Sequence, residues 1–369
     1  MFLKKLTLLN FKNYESAQAE LSEAINCFVG DNGSGKTNLL EAVYYLSLCK
    51  SCFNIPDLQN IKIGEQFFMI DGDFHIKDET EKIICAVQEG RKKKFSRNKK
   101  EYTRLSDHIG LIPAVLSTPS DTQLVYAASD ERRRFLNGLI SQHDRAYLQN
   151  VIDYNKALEQ RNRLLKNFAQ TNTWDELALE IWDETMSQTG EKIFESRKEL
   201  IDKLKPVFQK YYSFISGDNE EVSLVYKSDL ENGSLKELLN ESRQADRFAQ
   251  RSTIGIHRDD LVFLIGDRNI KKTGSQGQQK TYLVALKFGQ FDLIKGITSK
   301  KPLLLLDDVF DKLDAGRVER IISLVAEENF GQIFITDANK VRVDKVLEKV
   351  SSDHRIFKVQ AGKLELVDK

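Results

Sequence analysis

Apolar and polar positions alternate along the first thirty residues in the manner of strands, from Phe2 to Phe11 and again up to Ile25–Val29. Phe67–Phe74 and Lys82–Val87 read as a strand pair across a turn at Asp78–Thr80. Between residues 120 and 210 the period changes. Prolines stop at Pro119 and resume at Pro206, and apolar residues recur at helical spacing: Leu148, Val151, Ile152, Leu158, Leu164, Leu165, Phe168. Thr173 and Glu176 form a capping-box pattern ahead of Trp174, Leu177 and Ile181. Strand-like sequence returns at Val222–Tyr226. Leu303–Leu306, Arg317–Ala326 and Ile333–Ile335 then alternate strand, helix and strand, the rhythm of a parallel sheet. The pattern predicts an α/β protein interrupted by a mainly helical insertion.

Two segments carry chemistry on this frame. Gly30-Asp31-Asn32-Gly33-Ser34-Gly35-Lys36-Thr37 fits G-x-x-x-x-G-K-[ST] in full, between a strand and the amphipathic run Asn38–Leu48. The glycines let backbone N–H groups turn toward phosphates at a helix start. Lys36 is expected to neutralise the β- and γ-phosphates, and the Thr37 hydroxyl to ligate magnesium. Leu303–Leu306 then delivers Asp307 and Asp308 to the end of a buried parallel strand, where α/β sheets bind ligands. Asp307 is expected to hold the magnesium ion and Asp308 to polarise the attacking water. The expected catalytic set is Lys36, Asp307 and Asp308, with ATP and Mg2+ as cofactors. Ser275-Gln276-Gly277-Gln278-Gln279 opens a helical run and offers another phosphate-binding helix start, or a plain helix cap.

Composition narrows the class. The chain has 369 residues with 55 basic and 55 acidic side chains, so polyanion binding needs local patches. No apolar stretch is long enough for a membrane span, and the N-terminus lacks the pattern of a signal peptide. Cys49 and Cys52 have C-x-x-C spacing, but no second pair completes a zinc site, so reduced thiols in a cytoplasmic protein are expected.

These motifs together resemble the ABC-type ATPase heads of chromosome-structure and DNA-repair proteins, and most closely the RecF family of bacterial recombination-mediator ATPases. The resemblance runs through Leu9-Asn10-Phe11-Lys12-Asn13-Tyr14, the phosphate loop with Thr37-Asn38-Leu39-Leu40-Glu41-Ala42, and Glu131-Arg132-Arg133-Arg134-Phe135-Leu136. It continues through His257-Arg258-Asp259-Asp260, Ser275-Gln276-Gly277-Gln278-Gln279-Lys280 and Leu306-Asp307-Asp308-Val309. Ile256 stands where the family usually has Pro, and Asp311-Lys312-Leu313-Asp314 replaces Ser-Glu-Leu-Asp. Thr336 and Asp337 occupy the place of the transporters' switch histidine, and Asp308 replaces the Glu of most ABC ATPases.

The resemblance implies a P-loop NTPase of ABC/SMC-head type with a mainly helical second lobe. An ATP-binding lobe is expected over 1–118 and 252–369, with a helical lobe over 119–251. It implies Gly30–Thr37, Lys12, Asn13, Gln123, Ser275, Gly277 and Gln278 as nucleotide contacts, with Thr37 and Asp307 on the metal. It further implies an ATP-dependent homodimer that binds DNA at gaps and single-strand/double-strand junctions. Such a protein would be a weak, DNA-stimulated ATPase switch, working with RecR- and RecO-like mediators to load a RecA-like recombinase.

Arg91–Lys100, with seven basic residues of ten, is the best local candidate for DNA phosphates, against a solvated hairpin tip. Arg132–Arg134 lie next to residues that could line the nucleotide cleft, with internal ion pairs an equal alternative, and the His257–Asp260 cluster reads as an internal salt-bridge network near Ser275. A transporter ATPase is disfavoured by the separation of Thr37 from Ser275, and a long-armed chromosome protein by length. A DNA-binding module that uses ATP only to hold its shape stays open.

Overall fold

A computed structural model of the chain describes residues 1–217, 220–326, 329–348 and 353–368. The chain forms two compact units. One comprises Met1–Thr122, Lys210–Asn219 and Ser275–Lys369, the other Gln123–Gln209 and Glu220–Gly274. No helix of the described residues is long and apolar enough to cross a membrane.

The first unit holds two six-stranded sheets. In one, Ala114–Ser117, Leu303–Asp307, Ile333–Asp337, Ile25–Val29 and His354–Gln360 lie parallel in that order, and Lys363–Asp368 closes the edge antiparallel. Leu303–Asp307 and Ile333–Asp337 are buried throughout, as strands covered on both faces must be. Each of the four leucines there contributes about 1.5–3 kcal/mol through burial.

The other sheet is antiparallel and starts from the hairpin of Phe2–Phe11 with Tyr14–Glu20. It continues through Phe67–Ile76, Glu79–Gln88, Lys94–Arg97 and Lys100–Glu101. Phe67–Ile76 buries alternate residues, the period expected for a sheet with one covered face. Its turn is tighter than the sequence pattern suggested. Ile76 pairs with Glu79, and Lys77 and Asp78 both take positive φ, 50° and 64°, the geometry that suits the twist of a two-residue hairpin.

Between the sheets lies the helix Lys36–Leu48. Leu39, Leu40, Val43 and Leu46 share one hydrophobic cluster with Leu6, Ile70 and Ile83 of the antiparallel sheet and Leu305 and Phe334 of the parallel one. Gly72 permits the close approach, since a Cβ there would stand 2.6 Å from the Leu46 side chain.

The second unit is built on the helix Arg145–Thr171 and most of Glu176–Ser216, with a small antiparallel sheet in which Asp260–Ile265 pairs with Val222–Lys227 and Arg268–Asn269. The expected Thr173–Glu176 capping box does not form. Asp175 caps the long helix instead, accepting from the Ala178 N–H at 3.1 Å. Leu177 and Ile181, counted in the apolar period, are exposed.

The unit boundary also differs from the expected start of the second ATP-lobe segment at residue 252. Residues 252–274 cluster with the helical unit because Asp260–Ile265 joins its sheet and the preceding loop is bound to two buried arginines. Arg161 holds Asp183 (2.5 Å), Asp246 (2.6 Å) and Ser252 (2.9 Å). Arg197 holds Asp259 (2.5 Å) and the Ile256 carbonyl (3.0 Å). Conversely, 210–219 joins the first unit, where Tyr211 donates to Asp292 and Arg320 to the Ile215 and Ser216 carbonyls.

Candidate nucleotide site

The strand Ile25–Val29 ends at Gly30, and the chain turns through a glycine-rich loop into the helix that begins at Lys36. Gly33 (φ 80°) and Gly35 (φ 115°) sit in the left-handed region, where a side chain would be strained. At Gly30 the limit is space, since a Cβ would lie 2.2 Å from the Val359 carbonyl oxygen.

The loop is held by its neighbours. Asn13 donates to the Ser34 carbonyl (2.9 Å) and accepts from Asn38 (2.7 Å), while the Tyr14 hydroxyl donates to the Gly35 carbonyl (3.0 Å). Asn13, expected as a nucleotide contact, here braces the loop itself. The clamp by Tyr14 was not expected, although the Asn13-Tyr14 pair in the opening motif was its trace in the sequence.

The cradle is suited to an anion. The helix start has no side-chain cap, so its dipole and free N–H groups remain available. Ser34 Oγ is buried without a hydrogen-bond partner. Lys36 is buried, with Nζ donating to the carbonyls of Gly30 (2.7 Å) and Asp31 (3.0 Å) of its own loop. Those neutral acceptors are weaker than a phosphate oxygen, so the ammonium can exchange them for one.

The two distant motifs meet at Thr37 and Asp307. Thr37 Oγ1 lies 3.0 and 2.8 Å from the two carboxylate oxygens of Asp307. Thr336 Oγ1 donates to Asp307 Oδ1 at 2.6 Å. Asp307 is almost wholly buried, and burial raises its pKa against the lowering effect of both hydroxyls. A hydroxyl and a carboxylate side by side next to a phosphate cradle fit magnesium, which keeps waters and phosphate oxygens as its other ligands. Among the described residues no three carboxylates, imidazoles or thiols converge to make an all-protein cage.

Asp308 follows in the left-handed region (φ 44°), its N–H donating to the Thr336 carbonyl (3.2 Å) and hydroxyl oxygen (3.1 Å). Thr336, singled out only as a replacement for a switch histidine, therefore bridges Asp307 and Asp308. Asp337 beside it accepts from the Asn339 N–H at 2.7 Å and faces Arg342 at 3.7 Å. Burial raises its pKa.

Ser275 caps the helix Gln276–Thr298 in a capping box. Its Oγ accepts from the Gln278 N–H (3.2 Å), and its own N–H donates to Gln278 Oε1 (2.8 Å). A Cβ on Gly277 would meet Arg317 Nη1 at 2.7 Å, so the guanidinium lies directly against this turn. The structure shows the helix-cap reading, at an exposed helix start.

The Lys12 ammonium is bound by the buried carboxylate of Glu41. Gln123 is exposed in the other compact unit, on the short helix Thr122–Tyr126. Sequence reasoning also assigned no role to Lys280, whose Nζ donates to the Asp308 carbonyl at 3.4 Å.

The basic motifs divide. Within Arg91–Lys100, Lys93 is committed to Asp57 (2.8 Å) and the Cys49 carbonyl (2.8 Å), and Arg97 to Glu81. Arg91, Lys92, Lys94, Lys99 and Lys100 are exposed around the hairpin of Lys94–Arg97. Arg132 forks onto Asp260 (2.6 and 3.2 Å), and Arg133 donates to the Asp259 carbonyl (2.7 Å). His257 Nδ1 meets the Tyr154 hydroxyl at 2.9 Å and Nε2 the Ser252 carbonyl at 3.2 Å. Ion pairs and hydrogen bonds thus bind the ERRR and HRDD segments to each other inside one unit.

Comparison with known proteins places these features in a family. A family model described as the RecF/RecN/SMC N terminal domain matches residues 2–364. The DNA replication and repair protein RecF of Bacteroides fragilis (strain YCH46) is 53% identical over 98% of this chain and 97% of its own. The RecF of Flavobacterium johnsoniae is 45% identical over 97% and 99%. A solved structure of the recombination mediator protein RecF-ATP in the RecFOR pathway superposes with a TM-score of 0.89 at 30% identity, covering 100% of this chain and 98% of that one. An SmcHead bound to the C-winged helix domain of ScpA shares the fold, with a TM-score of 0.59 at 15% identity over 100% and 97% of the two chains. The architecture is that of an ABC/SMC-type ATPase head, and the chain belongs to the RecF family.

Proposed function

We propose that this protein is an ATP-dependent DNA-binding protein of recombinational repair and replication-fork maintenance, acting in the cytoplasm as an ATP-driven dimer switch. The observation that carries the reading is the Thr37–Asp307 contact, which joins the phosphate-loop helix to the end of the Leu303–Asp307 strand. RecF relatives bear the name of DNA replication and repair proteins, and a related RecF was solved with ATP.

In this reading the phosphate loop and Lys36 bind the phosphates of ATP. Thr37 and Asp307 would hold a magnesium ion, which supplies charge neutralisation at the β- and γ-phosphates. Asp308 orients the attacking water and accepts its proton. A carboxylate shorter than Glu, on a fixed left-handed backbone, suits slow turnover. Ser275, Gly277 and Gln278 would meet the γ-phosphate of ATP on a second copy of the chain. DNA at gaps or single-strand/double-strand junctions, RecR- and RecO-like mediators and a RecA-like recombinase complete the assignment.

Phosphate release measured with and without gapped DNA tests it. Slow release that rises with DNA and vanishes in Lys36→Ala is expected. DNA binding that needs ATP but releases no phosphate would establish the alternative, a module that uses nucleotide only to hold its shape.

A further inference from the structure

We infer that Lys280 is a positioning residue for ATP hydrolysis: from the signature helix it holds the backbone of Asp308, linking the water-activating carboxylate to the helix end that Ser275 opens. This inference rests on the proposed roles of Asp308 and Ser275.

Asp308 is an aspartate in a left-handed conformation, which is strained and persists only where the surroundings hold it. Its N–H is fixed by Thr336. Its carbonyl accepts from the Asp311 N–H (3.2 Å) and from Lys280 Nζ (3.4 Å). Of these holds, only the lysine comes from the signature helix.

The surroundings give the ammonium a reason to be there. Asp121, Asp311, Asp307 and Asp308 all act on it electrostatically. Asp121 already pairs with Lys287 at 2.8 Å and accepts from the Thr118 N–H at 2.8 Å. Lys280 is half-buried, and desolvation works against its charged form, so a cation is held here at a cost.

Lys280 follows Ser275 by five positions on one helix, an axial rise of roughly 7.5 Å. A shift of the Ser275 end on meeting a phosphate would therefore reach Asp308 through a rigid element rather than a loop. In a two-fold dimer, this makes the carboxylate serving one ATP sensitive to the ATP held by the partner.

The test compares Lys280→Met, Lys280→Arg and Asp308→Asn with the unaltered protein. Lys280→Met should lower kcat on the order of ten- to a hundredfold, the scale of a misplaced catalytic group. Nucleotide affinity, KM, ATP-driven dimerisation and thermal melting should stay as they are. Lys280→Arg should recover part of the rate. A Lys280→Met protein hydrolysing ATP at the unaltered rate overturns the inference. So does one that loses nucleotide affinity and melting temperature together with rate, which marks a purely structural lysine. Asp308→Asn separates the two levels: if it still hydrolyses ATP, the underlying reading of Asp308 is wrong. If it is inactive while Lys280→Met is fully active, only the role of Lys280 falls.

Discussion

At the scale of single residues, Lys36 is the sharpest test of the phosphate cradle. Lys36→Ala removes charge-assisted bonds worth about 1.5–3 kcal/mol, so isothermal titration should show ATP affinity down ten- to a hundredfold or more. Unchanged affinity would mean that the loop does not hold phosphate. Two histidines give a second test, on stability. The acceptor carbonyls of Leu46 and Ser252 require a proton on Nε2 of His108 and His257, which leaves Nδ1 to accept from Tyr102 and Tyr154. Burial holds both imidazoles neutral, each down to about 4. In the unfolded chain they take up protons near 6.5. Between these values the unfolded state binds more protons, so their contribution is complete above about pH 6.5 and is lost as pH falls toward 4. Melting curves over that window should show a shallower fall in Tm for His257→Gln than for the unaltered protein. Parallel pH profiles would remove His257 from this account.

At the scale of elements, the fold was most legible where burial dictates a period. The all-apolar Leu303–Leu306 run and the alternation in Phe67–Phe74 became the strands expected of them. Less legible were features set by partners distant in sequence. Nothing local says that Asp175 caps the long helix rather than Thr173, or that residues 252–274 belong with Arg161 and Arg197. In the site, the complete phosphate-loop pattern made Thr37 and Asp307 findable, because each motif carries its own spacing. Tyr14, Thr336 and Lys280 act through backbone carbonyls and a neighbouring carboxylate, and such partners leave no spacing to read. The Lys94–Arg97 hairpin changes the DNA prediction in the same way. Lys93 is committed to the fold, so the informative variant neutralises Lys92, Lys94, Lys99 and Lys100. If this hairpin grips a DNA backbone, binding weakens for all sequences alike, and the salt dependence flattens by roughly 0.7–0.9 of a log unit per lost contact. An unaltered salt slope would leave these lysines the role of edge-strand protection, keeping Lys100–Glu101 from pairing with other chains.

At the scale of the whole molecule, each chain brings one phosphate loop and one Ser275 helix start. A two-fold dimer would complete two sites at once from the same patch on both copies. Dimerisation would then depend on ATP by linkage. Light scattering with ATP should show Lys36→Ala monomeric and without nucleotide. Ser275→Arg should be monomeric with nucleotide bound, and Asp308→Asn dimeric and slow to dissociate. A Ser275→Arg protein that dimerises like the unaltered chain would refute the shared site. The discontinuous first unit has a consequence of another kind, for synthesis. Its parallel sheet sets Leu303–Asp307 and Ile333–Asp337 between Ala114–Ser117 and Ile25–Val29, so the two strands made first meet no partner until the last part of the chain emerges. At about 5–20 residues per second, the nascent strands wait roughly ten to sixty seconds with both edges open. A ribosome stalled before Leu303 should therefore present a chaperone-bound, protease-sensitive N-terminal segment, whereas Gln123–Gly274 can already bury its arginines while the sheet is still waiting.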